Sequence, residues 1–223
     1  MPGLSHRTYW KRSMTMTENE KEVLHAYLNS AVHYLEFGSG ESTVYAAGVD
    51  TIQRIDSVES SIDFVESHLS PLPVIQSALA SGKLGFHFVD LGPTGKWGYP
   101  ASNRKKHLWP NYSLSIFSKK SEHDLVLIDG RFRIASTLNC ILNTPQDSKI
   151  IIHDFWDRKQ YHLLLNYLSV VERTGTLAVF IRKPDLPVKK IQRIIWYYQY
   201  IPHDRSIYFK IKQKLIKMLS SGN

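Results

Sequence analysis

Acidic residues stand where apolar runs of this 223-residue chain end: Glu36, Glu59, Asp90, Asp129 and Asp154. A carboxylate in such a place can accept two hydroxyl hydrogen bonds, share a divalent cation with a neighbour, or take up a proton in catalysis. Around the first of them the chain reads YLEFGSGEST, an apolar strand from Val32 to Phe37, a turn through Gly38-Ser39-Gly40, and a helix over 41–48 with Ser42 and Thr43 in its first turn. The glycines permit backbone conformations and close ligand approach that a side chain would block, and the free amides of a first helical turn attract an anion. Together these make the local geometry of a nucleotide-binding strand–turn–helix unit.

The second acid supports that reading. Glu59 ends the strand predicted for Ile52–Val58 and follows Gly38 by about 20 residues, the distance at which such folds hold a ribose hydroxyl pair. Its alternative role is to cap the next helix, Ser60–Leu69. A dinucleotide site would ask for a third glycine, G-x-G-x-x-G, where this chain has Thr43, which counts against NAD. Asp90 is expected at the tip of a third strand, Leu84–Leu91, where an adenine amino group would need an acceptor. The loop beyond it, GPTGKWGYP, either offers Trp97 and Tyr99 to a ligand or folds them onto the surface.

The remaining candidates cluster in two runs. DLVLIDGRFR ends a strand in Asp129, Gly130 and Arg131, with Arg133 close behind; IIIHDF ends the next strand in His153 and Asp154. Asp129 and Asp154 are the pair to hold a divalent metal such as Mg2+ that would acidify a hydroxyl. Without a metal, His153 or His162 has the pKa range of a general base, unless each is a core residue bonded to backbone. Arg131 and Arg133 either bind a substrate carboxylate or phosphate bidentately or pair with the strand-tip acids.

These residues need a scaffold that brings strand ends together. Alternating strand and helix patterns imply an α/β fold, a Rossmann-like three-layer sandwich with a mostly parallel sheet of about seven strands, in which ligands bind outside the carboxyl ends of the strands. Thr17 reads as the N-cap of a helix with a Leu24, Tyr27, Leu28 stripe. A short element follows at 74–81, and other helices are expected near 114–119, 134–143 and 159–168. The strands 168–173 and 176–181, joined at Thr174-Gly175, form an antiparallel C-terminal hairpin, and two extra helices, 188–200 and 206–219, follow Pro184 and Pro187.

The chain divides into an N-terminal arm or flap (1–16), a catalytic body (17–183) and a basic helical extension (184–223). Ten of the 28 Lys and Arg, but only two of the 20 Asp and Glu, come after Ile181, which leaves 18 of each sign before it. The neutral body argues against a broad phosphate-binding face, whereas the extension is suited to nucleic acid, an anionic membrane or an acidic partner. The apolar side of its last helix would dock on its own domain or on a second subunit, as in a homodimer. A single Cys140, no apolar run of spanning length and no secretory h-region lead us to expect a soluble cytoplasmic protein, or one peripheral at the inner membrane surface.

The combination YLEFGSGEST, SVESS, VDLGPTGKWGYP, DLVLIDGRFR and IIIHDFWDRKQYH, spread over residues 18–182, resembles class I S-adenosylmethionine (SAM) dependent methyltransferases of an uncharacterised bacterial group. The resemblance implies SAM as cofactor, with Glu36, Gly38, Ser39, Gly40, Ser42 and Thr43 around its methionine part, Glu59 at the ribose and Asp90 near the adenine. The resemblance does not bring the substrate with it; the residues themselves offer Asp129, His153 and Asp154 as catalytic candidates and Trp97, Tyr99, Arg131 and Arg133 as substrate contacts, for methyl transfer to a hydroxyl of a small molecule or saccharide. In the metal-dependent O-methyltransferases it is similar to, a third ligand follows the fifth-strand acid; here that place is Phe155. The alternatives are an RNA methyltransferase and a non-catalytic protein of the same fold that docks through its tail.

Overall fold

The computed structural model describes residues 16–95, 98–118 and 121–204. The arm up to residue 15, Trp97 and the second C-terminal helix expected over 206–219 lie outside them.

The strands are β1 (His33–Phe37), β2 (Arg54–Glu59), β3 (Leu84–Phe88), β4 (Leu125–Ile128), β5 (Lys149–Ile152), β6 (Leu168–Thr174) and β7 (Leu177–Arg182). They form one sheet in the order β3-β2-β1-β4-β5-β7-β6, parallel up to β5 and antiparallel at β5–β7 and β7–β6. Strand order reverses between β1 and β4, so their carboxyl ends diverge into a crevice. β4 and β5 are apolar at nearly every position because helices cover both of their faces.

Alternation along each strand sorts the core into two layers. Leu35, Phe37, Val126, Ile128, Ile150, Ile152 and Phe180 point to one side, and Tyr34, Leu125, Leu127, Ile151 and Val179 to the other. The first side is covered by α5 (Pro110–Leu114), α6 (Arg133–Asn143) and α7 (Val188–Tyr198); the second by α1 (Glu18–Leu28), α2 (Glu41–Ala47) and α4 (Pro73–Ala80). Ile191 and Ile195 of α7 are buried against α6, so the first helix of the basic extension is seated on the body.

Thr17 does cap α1, in a complete capping box: its hydroxyl accepts from the Glu20 amide and the Glu20 carboxylate accepts from the Thr17 amide at 2.8 Å. Glu20 does more. Oε1 accepts from the Thr176 amide (2.7 Å), the Thr176 hydroxyl (2.8 Å) and the Leu177 amide (3.1 Å), which ties α1 to the β6–β7 turn.

Several boundaries differ from the sequence reading. β3 stops at Phe88, short of Leu91, and β2 begins at Arg54 because Ile52 is spent on the α2-side core. The segment after Ser61, which caps α3 (Ile62–Phe64), continues as a π turn over Val65–Leu69. The 114–119 helix is instead α5, with Pro110 opening it, followed by a 3-10 turn; the 159–168 helix is 3-10 throughout, Lys159–Asn166.

Candidate active site

At the β1/β4 crevice the two chain turns meet without side chains between them. Gly38 has φ +96°, and a Cβ there would lie 2.9 Å from the Gly130 backbone; a Cβ on Gly130 would strike Tyr112 Oη and the Phe37 carbonyl. Glycine is therefore required at both positions by close backbone approach. A cavity of about 550 Å³ opens above this contact. It is lined on one side by Gly38, Ser39, Gly40, Ser42, Glu59, Ser60, Ser61 and Phe64, and on the other by Tyr112, Asp129, Arg131, Arg133, Asp154 and Arg158. Met16, Lys21, Leu24 and His25 of the α1 region and Thr94, Gly95, Gly98 and Tyr99 of the β3 loop complete the wall.

The β1–β2 side is held by carboxylates that contact only amides and hydroxyls. Glu59 Oε2 accepts from the Ser39 amide at 3.1 Å, while Oε1 takes the Ser60 amide (2.5 Å), the Ser60 hydroxyl (3.1 Å) and the Ser61 amide (3.0 Å). With one donor on Oε2, Glu59 retains acceptor capacity toward the cavity, as a ribose partner requires. Both roles weighed for it, ribose acceptor and holder of the following turn, are compatible in this geometry.

Glu36 differs from its expected place. It is fully buried and does not line the cavity. Its oxygens accept from the hydroxyls of Tyr34 (3.0 Å), Ser42 (2.7 Å), Ser57 (2.7 Å) and Thr43, and Thr43 in turn accepts from the Gly40 amide at 2.9 Å. Burial raises its pKa against the pull of those donors. Glu36 and Thr43 thus shape the glycine turn from beneath rather than touch a ligand.

Asp90 is displaced further. Because β3 ends at Phe88 rather than Leu91, Asp90 lies beyond the strand and is exposed, bonded to the Gly92 amide (2.9 Å) and to Lys105, and is not part of the cavity wall. Phe64, in α3 beyond Glu59, also lines the cavity and carries no motif to announce it.

The β4–β5 side is built on charge. Asp129 Oδ1 accepts from Arg133 Nη2 at 2.8 Å and lies 3.1 Å from His153 Nδ1, while Oδ2 has no hydrogen-bond partner among the described residues. Its side chain remains 35% exposed, toward the cavity. Burial would raise its pKa; Arg133 and then His153 outweigh that and hold it at about 2. Asp154, with φ +57°, pairs with Arg158 and lies 3.6 Å from Arg133 Nη1. His153 is 3% exposed and its Nε2 is 3.9 Å from both Glu20 and Asp154. Burial opposes its protonation, but the two aspartates prevail and its pKa is raised.

This geometry corrects three catalytic and substrate assignments. His153 does not reach the cavity and positions Asp129 instead. His162 packs among Phe155 and Trp156 and is no base for this site. Arg133 lines the cavity floor, yet its guanidinium is committed to Asp129, Asp154 and the carbonyls of Gly130 (3.1 Å), Asp129 (2.9 Å) and His153. Arg158 and Lys21 join the wall without a role in the sequence reading, Arg158 although it stands within the IIIHDFWDRKQYH run.

Asp129, His153 and Asp154 bring ligand atoms within 4.8 Å of one another, the cluster a divalent ion would need. The donor set does not fit one. Arg133 already bridges both carboxylates, Arg158 neutralises Asp154 again, and a histidine whose proton is favoured is a poor ligand. Phe155, in the place of a third ligand, is fully buried against Phe180.

No family model matches the chain, and neither does any curated protein. Among solved structures it is similar to a methyltransferase-like protein from Silicibacter pomeroyi, with 28% identity and a TM-score of 0.71 over 84% of this chain and 97% of that one. It is also similar to a putative O-methyltransferase from Klebsiella pneumoniae (14% identity, TM-score 0.50, 77% of this chain and 83% of that one). A putative caffeoyl-CoA O-methyltransferase from Staphylococcus aureus aligns over 76% of this chain and 85% of its own, with 11% identity and a TM-score of 0.50. No helix among the described residues is long and apolar enough to cross a membrane. Sheet order, glycine turn and structural relatives agree, and the chain has the fold of the class I SAM-dependent methyltransferases.

Proposed function

We propose that the protein transfers a methyl group from SAM to a hydroxyl of a small molecule or saccharide. The observation that carries this reading is Asp129 Oδ2. It is a carboxylate oxygen without a partner among the described residues, held ionised by Arg133 and His153, in the wall opposite a glycine turn and a ribose-type acid. The near-neutral balance of residues 1–181 favours a small acceptor over a polynucleotide laid across the body.

The residues that fit the cofactor are Gly38, Ser39, Gly40 and Ser42 toward its methionine part and Glu59 toward its ribose. When bound, SAM supplies an electrophilic methyl on a sulfonium. The chain's own part is to align and shield. Asp129 Oδ2 accepts the hydrogen bond of the acceptor hydroxyl and orients its lone pair. At a pKa of about 2 Asp129 is an anion that stabilises the positive charge the acceptor oxygen takes on with the methyl; it does not keep the O–H proton, which passes to water as the O–H bond breaks. The balance is one O–C bond formed, one S–C bond broken and one proton released.

Thermal unfolding with SAM, S-adenosylhomocysteine (SAH) and NAD tests this directly. At about 100 times its dissociation constant a ligand adds about 2.7 kcal/mol, roughly 5–10 °C for a chain of this length. The two adenosyl compounds are expected to give that shift and NAD none; a shift with NAD alone would refute the reading.

A further inference from the structure

The cavity wall contains three arginines, and two of them are already paired. Arg133 serves Asp129 and Asp154, and Arg158 serves Asp154. Lys21, on the α1 side, is shared between Glu18 and Glu41, each at 3.2 Å. Arg131 differs from all of them. Among the described residues no carboxylate lies within 4 Å of its guanidinium, which rests instead on the Tyr99 ring, 4.3 Å from the centroid.

That resting place is itself built. Tyr99 stacks on His203 with centroids 3.9 Å apart and planes at 22°. Next to His203, Asp204 accepts from the Arg133 and Ile134 amides at 3.0 and 3.2 Å, which fixes the chain after α7 to the start of α6. The Arg131 amide donates to Tyr112 Oη at 3.3 Å, holding the backbone end. Stacking fixes the plane of the guanidinium while leaving its N–H edge unused, so little further ordering is needed for a two-pronged contact. A planar, permanently charged fork in a concave wall matches a carboxylate or phosphate.

We propose that Arg131 anchors an oxyanion, a carboxylate or phosphate group, carried by the methyl acceptor. The proposal rests on the methyltransferase reading and narrows it. Arg131 and Asp129 flank Gly130 at the end of β4, so the acceptor presents its hydroxyl to Asp129 Oδ2 and its anionic group to Arg131. A hydroxy acid or a sugar phosphate has both.

The test uses the full chain saturated with SAH and two matched probe pairs, 4-hydroxybenzoate against phenol and glucose 6-phosphate against glucose. Thermal unfolding and calorimetry are recorded for the wild type, Arg131→Gln and Arg131→Lys. We expect the anionic member of at least one pair to bind and its neutral partner not to. Arg131→Gln should weaken that binding by about tenfold or more, with Arg131→Lys in between and SAH affinity unchanged in both. Equal or absent responses within both pairs would overturn the proposal, as would an anion response that survives Arg131→Gln. Loss of SAH affinity in Arg131→Gln would also overturn it, since the guanidinium would then serve the cofactor's own carboxylate. Anion binding through Arg131 in a protein that never binds SAH would instead sink the methyltransferase reading and leave the oxyanion site standing.

Discussion

The two walls of the crevice solve the same problem, burying carboxylates at a sheet edge, by opposite means. On the β1–β2 wall, Glu36 and Glu59 are satisfied by hydroxyls and amides, with no counter-cation among the described residues. On the β4–β5 wall, Asp129 and Asp154 are compensated by Arg133, Arg158 and His153. Neutral donors fix the shape of that wall without bringing a cation to it, and Glu59 keeps acceptor capacity for neutral donors such as ribose hydroxyls. A paired ionic network holds a carboxylate charged and directional inside the protein, which suits a place where charge develops during reaction.

The difference predicts how each wall fails. Arg133→Ala removes one cation from two carboxylates in a buried setting, so it should cost about 3–5 kcal/mol and lower the melting temperature by roughly 6–20 °C. Methyl transfer should be lost with it. A loss under about 1 kcal/mol in a urea titration would mean that the β4–β5 wall does not depend on charge compensation.

Glu36→Ala should be next, at about 2–4 kcal/mol, because several hydroxyls lose their acceptor in the core. Glu36→Gln retains an acceptor and lets the hydroxyls rotate to receive its N–H groups, so it should cost about 1 kcal/mol. Equal losses for the two variants would show that Glu36 acts through its charge, contrary to the contrast drawn between the walls.

The smallest effect is the pH response of His153. Its folded pKa is raised above the value in the unfolded chain, so its stabilising contribution is complete below about pH 6.5 and disappears as pH rises through the folded value. The stability advantage of wild type over His153→Gln should therefore shrink as the pH is raised above about 6.5, followed by chemical unfolding. A constant advantage as the pH rises would mean that the imidazole is neutral and the network weaker than its geometry indicates.

What the sequence revealed and what it hid divide along the same lines. The glycine turn, Glu59 and the β4 and β5 runs are local patterns, each readable within about ten residues, and the structure places them together at the strand ends. The direction a side chain faces depends on distant partners. Glu36 turns inward because Ser42, Thr43 and Ser57 from two other segments meet it there, and Arg133 is consumed by Asp154, 21 positions away. Asp90 leaves the site because its strand ends at Phe88 rather than Leu91, enough to turn its carboxylate out to Lys105. Phe64 and Lys21 enter the wall from segments with no motif, and Arg158 from a run that shows no role for it; only the topology brings them in.

The bond between Glu20 and Thr176 spans 156 positions, almost the whole described chain. On a ribosome adding about 5–20 residues per second, roughly 8–30 s separate the synthesis of these two partners. During that interval α1 has its packing on β1 and α2 but not its bond to the β6–β7 turn. The helix that carries Lys21, Leu24 and His25 into the cavity wall therefore gains its last hydrogen-bonded tie only when the β6–β7 hairpin has been made.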